Sequence, residues 1–386
     1  MVRPEIRPLT SLRFFAASLI VILHGVGILH HSFLQQLFAF AHGVTFFFIL
    51  SGFILAYSYP ALNGAKAIGK FWFARISRIW PATIVSILFW AALLPWGLPD
   101  LPLYQKLAVF FTNIFLLHSW IPSATIANSL NSVTWSLSAE LLFYLLFPAL
   151  LYVLKIRWTW ILLCLISWIA IHILLMLNVD FVGQKDFFDW LYYFSPTTRL
   201  FEFVSGIFAY QLYRRFNTVK GPLLFWTILE SGTLLLVIFN LWLCKHLFQL
   251  GLFLGDLIPL GLYIKHTGGA TPSLFLLVLV FAFNRGWLSM LLSRPSFVLL
   301  GRISFALYLV HYPFVNLYKL HLKEFSSSYS SWELNIAYWI VCLGASYLLF
   351  TFVEEPCRRV MKRIGDKYIF ERSKSSPPAF SPSIPR

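Results

Sequence analysis

Residues 9–25 read LTSLRFFAASLIVILHG. The run is apolar enough to enter a lipid bilayer, yet Arg13 stands near one end and His24 near the other, two groups that hydrocarbon makes expensive. The rest of the chain decides whether it is a membrane span. Of 386 residues, 59% are hydrophobic and only 12% charged, with 40 Phe, 17 Tyr and 15 Trp. A soluble domain has about 45–50% apolar and about 25% charged residues. Apolar runs long enough to cross a bilayer recur as far as about residue 353. The fold class that follows is all-α, a polytopic transmembrane helix bundle.

Expected spans lie at 13–31, 42–59, 79–96, 134–154, 158–177 and 196–213. Further runs follow at 222–243, 247–264, 272–292, 297–318 and 333–353. Basic residues set the orientation. Arg3 and Arg7 put the N-terminus in the cytoplasm, and Lys66, Lys70, Arg75 and Arg78 mark an inside loop, as do Lys155 with Arg157 and Arg214, Arg215 with Lys220. Asp180, Asp186 and Asp189 place 178–190 outside, and Arg358, Arg359, Lys362, Arg363 and Lys367 return the tail to the cytoplasm. Parity then requires an even number of crossings between 214–221 and 285–302, although three apolar runs separate them. One of the three is therefore expected to be re-entrant, interfacial or part of a broken helix, so of 11 candidate runs about 10 (10–11) are expected to cross. Residues 106–118 are too short to span and are expected to dip into the outer face.

The net charge of +15 is accounted for by this topology and by contact with anionic lipid of the bilayer. No nucleic-acid partner is expected, because no basic face with interleaved aromatics survives once the helices are in lipid. Cys164, Cys244, Cys342 and Cys357 are too scattered for a disulfide framework or a metal site, so no metal is expected. Residues 14–31 lack a small-residue cleavage site and are kept as the first span rather than a signal peptide. The chain divides into a transmembrane domain, 1–360, and a basic tail, 361–386, whose SKSSPPAFSPSIPR ending predicts disorder. No internal repeat and no attached soluble catalytic domain are expected.

Ionisable groups inside spans mark function more often than they mark packing. Arg13 and His24 are eleven residues apart, about 20° past three full turns, so they share one face about 16 Å apart. An arginine at the entrance and a titratable imidazole near mid-membrane suit a long anionic ligand whose reactive end reaches inward; a histidine bonded to a neighbouring helix is the plain alternative. In FWFARISRIWPA, Arg75 and Arg78 lie at i and i+3 and can clamp phosphate, or simply anchor the rim, with Pro81 starting the next span. In SVTWSLSAELLFYLLFP, Ser132 or Thr134 can cap the helix, and Ser136 and Glu140 share one face. TRLFEFVSGIFAY reads chiefly as structure: Arg199 can pair with Glu202, and Gly206 permits close helix approach. Ser304, Tyr308 and His311 form a polar stripe, and Glu354 and Glu355 can serve as counter-ions to the basic clusters.

Six motifs in order resemble the acyltransferase 3 family of integral membrane O-acyltransferases. They are LRFFAASLIVILH with Arg13 and His24, FFFILSGFILAY with Ser51 and Gly52, RISRIWPA, TWSLSAE with Trp135, RLFEFVSG, and GRISFALYLVHYPF with His311. The resemblance covers about 1–360. It implies a protein of the bacterial inner membrane that moves an acyl group, most often acetyl, from cytosolic acyl-CoA (acetyl-CoA) to a hydroxyl of an extracytoplasmic carbohydrate or glycolipid. It further implies His24 as the catalytic histidine, and Arg13, Arg75 and Arg78 as coenzyme-binding residues. Ser136 and Glu140 are expected to orient the acceptor or the imidazole. Ser304, Tyr308, His311 and Arg199 are expected to support the substrate. Two departures stand out: Thr45 replaces an Asp found in many relatives, and Phe305 replaces a Tyr that often follows the motif serine. A transporter or flippase of a polar lipid or sugar is the competing reading, using the same intramembrane residues as a pathway.

Overall fold

A computed structural model describes residues 3–25, 32–95, 101–156, 185–254, 261, 263–265, 267–321 and 329–365. The expected span at 158–177, Cys164, Asp180 and the tail beyond 365 lie outside the described residues. Among the described residues the chain is helical throughout, with no strand. Its main helices are α1 (Arg7–His24), α2 (His42–Ser58), α3 (Ala65–Leu93), α4 (Trp135–Ile156), α5 (Pro196–Phe216) and α6 (Leu223–Leu254). They are followed by α7 (Thr271–Phe283), α8 (Trp287–Leu292), α9 (Pro295–Leu320), α10 (Ser331–Leu349) and α11 (Glu355–Ile364).

Among the described residues, five stretches are long and apolar enough to cross a membrane: Ala65–Leu93, Ser132–Val153, Leu223–Leu247, Pro295–Leu320 and Ser331–Ile364. Shorter apolar helices, α2 and α7, accompany them. Helices α1 and α5 are buried in the bundle but diluted in apolarity, the first by Arg7, Arg13 and His24, the second by Arg199, Glu202, Arg214 and Arg215.

Several boundaries differ from the sequence expectation. Helix α1 begins at Arg7, six residues before the expected span, and ends at His24, so the imidazole sits in its last turn. Arg75 and Arg78 do not lie in a loop: α3 runs unbroken through them and through Pro81. Proline there removes one backbone donor, a loss that long membrane helices absorb. Neither Ser132 nor Thr134 caps α4. Ser132 turns to the Asn128 side chain, and the Thr134 hydroxyl donates to the Asn131 carbonyl at 2.8 Å, closing a 3₁₀ turn instead. The runs expected at 222–243 and 247–264 are joined through residue 254 in the 32-residue α6. The run at 272–292 is broken at Asn284, whose φ of 54° is left-handed, a conformation asparagine tolerates. The 103–114 segment is a short helix with Leu103, Tyr104, Leu107 and Phe111 exposed and Val109 buried.

Glycine sets two close helix contacts. A Cβ on Gly52 would lie 1.9 Å from the Phe203 carbonyl oxygen, and one on Gly206 would lie 1.9 Å from that of Ile49, so α2 and α5 touch backbone to backbone in both directions. A Cβ on Gly301 would lie 2.0 Å from the Thr10 carbonyl oxygen, which clamps α9 against α1. Phe48, Phe143, Phe147 and Phe203 fill the core between α2, α4 and α5.

Candidate active site

A cavity of about 680 Å³ opens at the end of the bundle that holds the N-terminus. Along α2 it is lined from Ser58 to Val44, fourteen residues or about 21 Å of helix. Arg13 of α1, Arg75 and Arg78 of α3, and Ser136 and Glu140 of α4 all face it. The i, i+3 spacing of Arg75 and Arg78 survives the loss of the expected loop, because one face of a continuous helix carries both. Arg75 lies over the Tyr59 ring at 5.5 Å, with Nη2 3.4 Å from the phenol oxygen. Among the described residues no carboxylate lies within ion-pair distance of Arg13, Arg75 or Arg78.

Three further arginines stand at the mouth, Arg3, Arg302 and Arg358, none of which the sequence singled out for binding. Two of them are paired, Arg302 with Glu5 at 2.8 Å and Arg358 with Glu355 at 2.6 Å. Partial burial alone would raise the Glu5 carboxyl, but the Arg302 guanidinium and the Thr10 hydroxyl hold it below the ordinary carboxylate range. Both Glu354 and Glu355 line the cavity: Glu355 pairs with Arg358 and Arg359, and the buried Glu354 interacts with the charges of Arg78 and Arg13. In total six arginines face four glutamates here.

Glu140 is fixed by two hydroxyls, Ser51 Oγ and Tyr144 OH, each donating to Oε1 at 2.6 Å. The serine of the SGF motif thus has a specific task, which its sequence position did not disclose. Ser136 Oγ lies 2.8 Å from Tyr308 OH, and this pair, with Phe47, lines the part of the cavity remote from the N-terminus. His24 does not line the cavity itself. Its Nδ1 lies 2.9 Å from His311 Nε2, the two rings near-parallel, and Tyr312 packs edge-on against it at 4.9 Å. His311 in turn packs 5.9 Å from the Tyr308 ring. The imidazole's bonded partner is thus His311, not Glu140 or Ser136. Ser304 turns away and donates to the Gly301 carbonyl at 2.7 Å.

Arg199 and Glu202 pair at 3.3 Å with both side chains fully buried, and the guanidinium also lies over Phe48, Trp135 and Tyr193. Thr45 donates to Glu202 at 2.9 Å, which ties α2 to α5. This network braces α2 against α5 apart from the cavity, and Arg199, expected to support the substrate, does not line it.

Comparison with known proteins gives a consistent picture. The model of the acyltransferase domain family matches residues 8–353. The chain is 28% identical to acyltransferase MdmB of Streptomyces mycarofaciens, over 92% of each chain. It is also 31% identical to nodulation protein 10 of Rhizobium leguminosarum bv. viciae, over 38% of this chain and 44% of that protein. No solved structure matches.

Proposed function

This chain belongs to the acyltransferase 3 family, and from that premise we propose that it transfers an acyl group, acetyl in the first instance, from cytosolic acyl-CoA to a hydroxyl of an extracytoplasmic carbohydrate or glycolipid. The protein is read as crossing the bacterial inner membrane ten times with both termini in the cytoplasm, so that the arginine-rich mouth faces the coenzyme pool. The observation that carries the reading is the unpaired arginine set Arg13, Arg75 and Arg78 on a cavity that follows α2 for about 21 Å. Guanidinium groups without a carboxylate partner suit phosphate, which they bind in bidentate fashion. The length of the cavity beyond them suits an extended thioester arm.

In this reading the acceptor hydroxyl attacks the thioester carbonyl carbon while an imidazole nitrogen of His24 takes its proton. The new C–O bond forms as the C–S bond breaks, and the released thiolate recovers a proton to leave as free CoA. Such positioned proton transfer contributes about 10² to 10⁴ in rate. Ser136, Tyr308 and the Ser51–Glu140–Tyr144 cluster line the cavity beyond the arginines, and His311 packs against the Tyr308 ring. Transfer is direct, without an acyl-enzyme.

The acceptor is identified by mass spectrometry of cell-surface glycans from strains with and without the gene. Loss of an acetyl or longer acyl group on deletion, restored by the wild-type gene but not by His24→Ala, is the expected result. Unchanged surface glycans would remove this class of acceptor.

A further inference from the structure

Resting on the reading of His24 as the base, we propose that His311 is a positioning residue that fixes the tautomer of His24 and so decides which nitrogen can accept a proton. The chain of reasoning starts at a backbone carbonyl. His311 Nδ1 lies 3.1 Å from the Leu307 carbonyl oxygen, one turn back on α9. A carbonyl oxygen only accepts, so Nδ1 carries the hydrogen. A neutral imidazole has one N–H, which leaves a lone pair on His311 Nε2. That nitrogen is 2.9 Å from His24 Nδ1, and the contact holds only if His24 Nδ1 is the donor. His24 Nε2 is therefore the bare nitrogen, available as a base.

The opposite assignment is unfavourable on the same geometry. If His24 carried its hydrogen on Nε2, its bare Nδ1 would face a second lone pair unless His311 held two protons. His311 is fully buried, and among the described residues no carboxylate lies within ion-pair distance of it, so that second proton would be an uncompensated buried charge. Neighbouring helices hold the arrangement in place. Gly301 brings α9 against the Thr10 backbone of α1, and Tyr338 of α10 donates its hydroxyl to the His311 carbonyl at 3.2 Å. Ala17, Val21, Leu307 and Val315 pack between them.

The consequence for the reaction is specific. When His24 Nε2 takes the acceptor proton, the ring becomes an imidazolium whose Nδ1–H still donates to the His311 lone pair. His311 gives up no proton and gains none. It orients the base beforehand and stabilises the cation afterwards, the part a buried carboxylate plays in a serine-hydrolase triad.

The test uses the full-length protein purified in detergent with acetyl-CoA as donor. His311→Leu removes the acceptor for His24 Nδ1–H and should lower kcat at least about 100-fold, while donor KM stays within about threefold. His311→Gln offers an amide oxygen at that place and should recover kcat to within about tenfold of wild type. Equal losses in the two variants, or a Leu variant at full turnover, would overturn the proposal. Should the Leu variant fail to fold, ¹⁵N resonances of the wild-type histidines decide it. Hydrogen on His24 Nδ1 and none on Nε2 supports the proposal, and the reverse overturns it. The underlying reading fails separately, through a wild-type protein that transfers no acyl group or a His24→Ala variant that is fully active.

Discussion

Replacing Gly206 by alanine should damage this protein far more than one methyl group suggests. The added Cβ would meet the Ile49 carbonyl oxygen at 1.9 Å, the Ile49 carbonyl carbon at 2.8 Å and the Phe53 amide nitrogen at 2.9 Å. All three are backbone atoms and cannot rotate aside. Ordinary contact begins near 3.4 Å, so α2 and α5 must separate by about 1.5 Å. Helix propensity works in the opposite direction, since Gly→Ala in a helix interior is worth up to about 1 kcal/mol of added stability. Overpacking costs typically about 1 to 3 kcal/mol and should win here. The same shift moves Ser51 away from Glu140 and Thr45 away from Glu202, and misplacement by about 1 Å in a reacting constellation costs about 10²-fold in rate. The assay is thermal unfolding in detergent alongside acyl transfer. Gly232→Ala and Gly344→Ala are the controls, because nothing lies within 4 Å of a Cβ added at either position. They should be neutral or stabilising. A Gly206→Ala protein as stable and active as those controls would refute the contact.

Arg75→Ala with Arg78→Ala should raise donor KM at least about tenfold, each lost charge-assisted bond being worth about 1.5 to 3 kcal/mol, while acceptor KM changes little. Steady-state kinetics with both substrates varied decides between a coenzyme clamp and a merely structural helix. Glu230→Ala should lower the unfolding temperature without altering donor KM. Glu230 is fully buried and accepts from the Gly286 and Ser289 amides at 2.8 and 3.0 Å, and each orphaned donor costs about 1 to 3 kcal/mol. Glu5→Gln should cost less than about 1 kcal/mol in unfolding experiments, because its pair with Arg302 is largely exposed. Since the folded carboxyl is held below its ordinary range, that contribution is present above the ordinary carboxylate pKa and lost as pH falls through the lowered one.

The helical class and the shared face of Arg75 and Arg78 were legible because each follows from composition or from spacing along one helix. Arg199 and Glu202 pair for the same reason. That Arg13 of α1 joins Arg75 and Arg78 on one cavity while His24 lies outside it depends on how the helices pack. Breaks were harder to read. Pro81 looks like a boundary and is not one, while Asn284 has no strong breaking signal and ends a helix through a left-handed residue. Contacts between distant segments were not legible at all. Ser51 meeting Glu140, Thr45 meeting Glu202 and His24 meeting His311 depend on which helices are neighbours, and periodicity within one helix says nothing of that.

The central claim is tested most directly by incubating the purified protein with radiolabelled acetyl-CoA and a carbohydrate acceptor. The wild type should move label to the acceptor and release free CoA in equal amount, and His24→Ala, folded to the same degree, should lose about 10² to 10⁴ in turnover. Label that stays on the coenzyme with the wild type, or a His24→Ala variant with unchanged turnover, would contradict the account.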